Sequence, residues 1–286
     1  MTATDAEFPA APTAWQLFAR GEAAVAGAGI LVVLLALALA GSVVAPFDPE
    51  KVGAGAVMAM PGNLHWMGTD ELGRDVFSRI LVGIKVSLLV GIGAAAVSTG
   101  LGVLVGGVAG FFGGLIDDAL MRVTEVFQVV PRFFLAVLLV AFFGASIFNI
   151  IVAIAILSWP EVARILRAEF LSLRSRQFVD AARVAGASVG TLIFVEILPN
   201  ALAPVVVNAT LQVGQAMLLE AGLSYLGLGD PSQISLGLML HQAQQIMRTA
   251  WWATAFPGLM IFLAVLSLNL IGDGLNDVLN PRSRGR

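Results

Sequence analysis

Gly186-Ala-Ser188-Val-Gly190 sets a serine between glycines at the spacing of a hydrolase nucleophile elbow. An elbow needs a strand before it, a helix after it and a reachable histidine. The only histidine downstream is His241, expected on the opposite side of the membrane. Ser224 and His241 offer another nucleophile and base, as in an intramembrane protease, but both fall in one loop between apolar stretches. His65 and His241 are too distant in sequence to suggest a metal pair, and no H-E-x-x-H accompanies them. Asp70, Glu71 and Asp75 crowd together without the ligand density of a calcium loop, so a surface turn is expected there. The chain has no cysteine, which excludes disulfides and thiolate metal sites. It also lacks G-x-x-x-x-G-K-[ST], so it has no phosphate-binding loop of its own. No catalytic residue, metal site or bound cofactor is expected, and any ATP must be held by another subunit.

What remains is charge inside apolar sequence: Lys85, Glu125, Arg132, Glu161 and Glu220. Ionisable groups in spans mark substrate paths or structural pairs, while those near span ends can snorkel to the interface. Glu125 and Arg132, seven residues apart in one expected helix and so on one face, are the pathway candidates. The chain is 58% hydrophobic and only 12% charged over 286 residues, about half the charge of a soluble domain. A polytopic, all-α membrane protein follows. A net charge of −3 gives no argument for nucleic-acid binding.

Six spans are the most economical division. A polar lead covers 1–22, and 23–47 is free of charge and long enough to cross a bilayer. A signal peptide cleaved near Ala38-Leu39-Ala40 is the rival, but the lead is not basic and the apolar run continues through Val44. Residues 48–80 form a polar loop with the charged turn 68–75, and 81–276 hold the other five spans. These begin with 86–116, then 119–143, then a span from Ile147 past Pro160. The last two are 197–219, with Pro199 and Pro204 as expected kinks, and 249–272, separated by a mixed loop over 220–248. A basic tail covers 277–286. Ser98, Gly102, Gly106, Gly110 and Gly114 recur every four residues, a small-residue ladder that lets another helix approach closely.

One long polar, Arg-rich stretch interrupts this pattern, residues 164–199. Within it, Phe178, Ala181, Ala182 and Ala185 share one face of a short helix, with Asp180 and Arg183 off it. Gly186 breaks that helix and Ser188 can cap the next. With six spans both termini lie on the side of this stretch. That side collects Arg20, Arg122, Arg164, Arg167, Arg174, Arg176, Arg183, Arg282, Arg284 and Arg286, against Lys51, Arg74, Arg79 and Arg248 opposite. The positive-inside rule therefore places the stretch and both termini in the cytoplasm.

Asp180-Ala-Ala-Arg-Val-Ala-Gly186 followed by Leu198-Pro199 resembles the E-A-A-x-x-x-G…L-P loop of ABC importer permeases, with Asp180 for the usual Glu and Glu196 where an apolar residue is common. Gly68–Asp75, Gly110-Phe-Phe-Gly-Gly114, Leu198-Pro-Asn-Ala201, Leu223-Ser-Tyr-Leu-Gly-Leu-Gly229, Trp251-Trp252, Phe256-Pro-Gly258 and Asn269-Leu-Ile-Gly-Asp-Gly274 look like the dipeptide/oligopeptide-type permeases. The likeness runs from about Trp15 to Arg282 and points to the second permease of the pair. It implies a type I ABC importer permease fold in a bacterial inner membrane. It implies as partners a second permease, two ATP-binding subunits holding ATP and Mg, and an extracytoplasmic substrate-binding protein. It also makes Phe178, Val179, Asp180, Ala181, Ala182, Arg183, Val184, Ala185, Gly186 and Ala187 the coupling helix docked on an ATPase subunit. Importers of nickel, glutathione or another small solute share these motifs. A channel or secondary transporter would need its own coupling-ion site and often inverted repeats, and the sequence shows neither.

Overall fold

A computed structural model of the chain describes residues 14–279. The polar lead before residue 14 and Arg282, Arg284 and Arg286 of the tail lie outside the described residues. A short helix α1 (Ala14–Arg20) leads into α2 (Glu22–Val44), then α3 (Val76–Phe112), α4 (Gly114–Val129), α5 (Arg132–Phe143) and α6 (Ile147–Leu173). The small helix α7 (Gln177–Val184) precedes α8 (Val189–Thr191), which continues through a π-helical segment (Leu192–Ile197) into α9 (Leu198–Leu223) and a second π segment (Ser224–Leu228). Helices α10 (Leu236–Ala243) and α11 (Trp252–Leu279) complete the described chain. Among the described residues, five helices are long and apolar enough to cross a membrane, six if α4 and α5 count as one bent span.

The centre of the bundle is the seam between α3 and α6. Every fourth residue of α3 is small there, which brings the two backbones together. A Cβ on Gly102 would strike the Val162 side chain, one on Gly106 the Ala163 backbone, and one on Gly110 the Phe170 Cβ at 2.5 Å. Ser98 closes the row, fully buried, its hydroxyl donating to Gln212 Oε1 at 2.7 Å. Gly114 does not belong to the row. The helix ends at Phe112, Gly113 turns at φ 66°, and Gly114 begins α4 with open space around it.

Several spans depart from the expected division, three of them for local reasons. Helix α3 starts ten residues early because Asp75 caps it, accepting the Ser78 N–H at 2.8 Å, and its first turns are buried by the polar loop. The expected third span is two helices bent by 85°. Pro131 has no N–H to continue α4 and holds Val130 extended (φ −96°, ψ 138°). Glu125 and Arg132 are consequently on different helices and share no face. At Pro199 the backbone takes π spacing instead of a sharp kink, Leu198 N–H reaching Ile193 O. The 220–248 stretch is mostly helical, not a mixed loop.

Candidate functional site

Helix α7 has eight residues, too few to hold itself by backbone hydrogen bonds alone. Val179, wholly buried, and half-buried Ala182 pin it to a cluster formed by α6, the first π segment and α9, which includes Phe170, Leu192 and Ile197. Its C-terminus closes as a Schellman motif. Ala187 N–H donates to Ala182 O at 3.1 Å and Gly186 N–H to Arg183 O at 3.1 Å, with Gly186 at φ 85°. Ser188 Oγ then accepts the Thr191 N–H at 3.2 Å and starts α8. That capping contact occupies the serine of the G-x-S-x-G match. Ala182 therefore does not belong to the outward face expected for it. The outward row is Phe178, Ala181, Val184 and Ala185, and Val184 is 91% exposed. Asp180 and Arg183 pair at 2.8 Å on its exposed flank.

The arginines before α7 also act within the chain rather than only at a membrane surface. Arg167 holds Asp117 of α4 through two nitrogens, one at 2.6 Å. Arg174 Nη1 donates to the carbonyls of Gly110 and Phe111 at 3.1 and 3.2 Å, satisfying the last turn of α3. The α7 end of α6 is thus tied to both α3 and α4.

A polar layer crosses the bundle halfway along α6. Glu161 lies about 21 Å from one end of that helix and about 18 Å from the other, at 1.5 Å per residue. It accepts from Arg132 Nη2 at 2.9 Å and from Asn208 Nδ2 at 3.1 Å. One turn further along α9, Gln212 joins Ser98 to the Ser158 carbonyl, its Nε2 donating at 3.3 Å. Of the two expected pathway residues, only Arg132 reaches this layer. Glu125 is on α4, paired at the surface with Arg122 at 3.1 Å. Sequence reasoning missed Asn208 and Gln212. The available signal was two amides four residues apart, hence on one face, in an apolar stretch.

The opposite end is closed by residues 45–75 and α10. Asp70 accepts from Arg74 Nε at 2.6 Å, Asp75 from His65 Nδ1 at 2.8 Å and from the Ser78 hydroxyl at 2.7 Å, and Gln242 from Arg79 at 2.7 Å. These pairings use Asp70 and Asp75 in holding the turn. Gly68, at φ 73°, lies so close to Trp252 that a Cβ would meet its Nε1 at 2.6 Å, and that nitrogen donates to Thr69 O at 3.0 Å. Ser224 donates to buried Glu220 at 2.7 Å, whereas His241 contacts the Tyr225 carbonyl at 2.9 Å, so they form no dyad. Burial works to raise the Asp230 pKa, but hydrogen bonds from the Ser232 hydroxyl and N–H and from Ile147 N–H outweigh it. They hold the carboxyl below its usual range.

These features define a polytopic helical protein with a short exposed helix clamped to one end and a polar layer within. Among solved structures, a chain of the inward-facing MetNI methionine ABC transporter shares this fold, with TM-score 0.58, 19% identity, and coverage of 71% of this chain and 96% of that one. Residues 102–285 match the family described as the binding-protein-dependent transport system inner membrane component, and 13–61 match the N-terminal TM domain of oligopeptide transport permease C. The chain belongs to the binding-protein-dependent transport permease family.

Three relatives illustrate its range. The di/tripeptide transport system permease protein DppC of Pseudomonas aeruginosa is 39% identical over 94% of this chain and 91% of that protein. The dipeptide permease DppC of Alkalihalophilus pseudofirmus is 40% identical over 89% and 83%. The glutathione transport system permease GsiD of Pectobacterium atrosepticum is 38% identical over 94% and 90%.

Proposed function

We propose that this chain is the second, non-catalytic permease subunit of an ATP-driven importer, forming with a second permease a path for peptides delivered by an extracytoplasmic binding protein. Two partner subunits bind ATP and Mg and hydrolyse the nucleotide. Residues 178–187 dock on one of them, in the cytoplasm, with both termini on that side. The observation that carries this reading is the outward row Phe178, Ala181, Val184 and Ala185 on a helix whose opposite side is locked by Val179. An apolar side chain as exposed as Val184, on a helix held rigidly, suits a groove in a partner. The distribution of arginines supports the orientation. The names of the peptide permeases among the relatives support the substrate class.

Motion follows from the attachments. Closure of the ATPase subunits displaces α7, and the Val179 anchor passes that displacement to α6 and α9. Arg167 and Arg174 pass it on to α4 and α3, so these helix ends move as one body. The test is ATP-dependent uptake of a dipeptide by the full complex in proteoliposomes with loaded binding protein. Val184→Asp should abolish coupled uptake while leaving the chain folded; undiminished uptake would overturn the docking assignment. A bulky residue at Ala182 is a poorer probe, since it would strike the chain's own core. The GsiD relative favours glutathione as the second reading, and competition between glutathione and dipeptide for the binding protein separates the two.

A further inference from the structure

We propose that Arg132, Glu161 and Asn208 form a transient site for the two charged ends of the passing peptide, an inference that rests on the peptide reading above. The open positions of α6 switch sides of the helix at this layer. Toward the capped end the open side carries Phe148, Val152 and Ile156; from the layer toward α7 the opposite side is open and carries Glu161, Arg164, Ala168 and Ser172, with half-buried Ile165 among them. The first side is suited to lipid tails or an apolar partner. The second is mostly polar and small, as expected of a wall facing water, and it begins at the ion pair.

Both side chains of that pair are 31% exposed, so the pair stands at the edge of this wall instead of being sealed inside the bundle. Asn208 donates to Glu161, which fixes its amide orientation, because the reversed amide would set oxygen against carboxylate. The Asn208 Oδ1 is thereby left buried with no donor. The layer thus contains a guanidinium, a carboxylate and one unused acceptor.

A short peptide with free ends carries the complementary groups. Its carboxylate fits the guanidinium fork, its ammonium fits the Glu161 carboxylate, and a peptide N–H can donate to Asn208 Oδ1. As the peptide enters, Arg132 and Glu161 release each other and each takes a peptide terminus, so neither charge is left without a partner. When the peptide leaves they pair again. This exchange keeps binding weak enough for release, as a transport path requires.

The experiment uses the complete complex in proteoliposomes with saturating binding protein. It compares uptake of a free-ended tripeptide with that of its N-acetylated and C-amidated forms. Each variant is expressed relative to wild type, so that selection by the binding protein cancels. Glu161→Gln should lower free-ended uptake about tenfold and leave the N-acetylated peptide at its wild-type rate. Arg132→Gln should do the same for the C-amidated peptide. Glu161→Asp, which keeps the charge and shortens its reach, should give a smaller loss with the same selectivity and serves if the Gln variant fails to assemble. An equal loss for all three peptides, or no loss, would overturn the site and leave a structural pair. If the wild-type complex imports no free-ended peptide under ATP, the peptide reading itself falls.

Discussion

The two ends of the bundle handle polar and apolar groups in opposite ways. At the capped end, Asp70 is taken by Arg74, Asp75 by His65 and Ser78, and Arg79 by Gln242, while Trp252 is buried and hydrogen-bonded. At the α7 end the arginines bind neighbouring helices, yet Phe178 and Val184 project outward with nothing over them. The cap pairs most of its polar groups internally, with His65 Nε2 left buried and without a hydrogen-bond partner. The α7 surface is held rigidly from behind and left open in front, as suits a piece that completes itself on another subunit.

That contrast can be broken first at Asp75. Asp75→Ala strands the buried His65 and the Ser78 hydroxyl and uncaps α3, and should cost about 3 kcal/mol or more. Thermal unfolding of the detergent-solubilised protein would register it as a lower Tm, and an unchanged Tm would show that the cap is not self-supporting. Val184→Asp is the converse. Its melting should stay within about 0.5 kcal/mol of wild type while ATP-coupled uptake is lost. Gly186→Ala places a Cβ at φ 85° and should destabilise by about 1–2 kcal/mol, seen as faster local hydrogen exchange in α7. Ser188→Ala removes the cap of α8 and should cost about 1 kcal/mol by the same readout.

The smallest effect is expected at Asp230, whose folded pKa lies below its unfolded value. Its stabilising contribution is therefore complete above the unfolded pKa and is lost as pH falls through the folded one. Melting compared between neutral pH and about pH 3 should show a smaller acid-induced loss in Asp230→Asn than in wild type. Equal losses would remove Asp230 from the account.

Much of this was legible along the chain because apolar length, small-residue spacing and caps act locally. Gly102, Gly106 and Gly110 share a face by helical geometry alone, so their seam was readable before its partner was known. Gly186 and Ser188 were readable as a break and a cap. Gly114 was misjudged because a spacing of four continues past a helix end as easily as within it, and only the Gly113 turn ends the register. Glu125 and Arg132 were placed together on the assumption that a helix runs through Pro131.

The sequence by itself determined where the main apolar stretches lie, the position of the short helix between α6 and α8, and the absence of a phosphate loop. These follow from local composition and from periodicity, which neighbours along the chain decide. Tertiary structure alone decided that Ala182 turns inward and Val184 outward, since an eight-residue helix has no orientation until Val179 is buried. It alone joined Arg132 to Glu161 and Asn208, which lie 29 and 47 positions apart across the two links. The three side chains meet only when α5, α6 and α9 have packed, and no local pattern records the meeting.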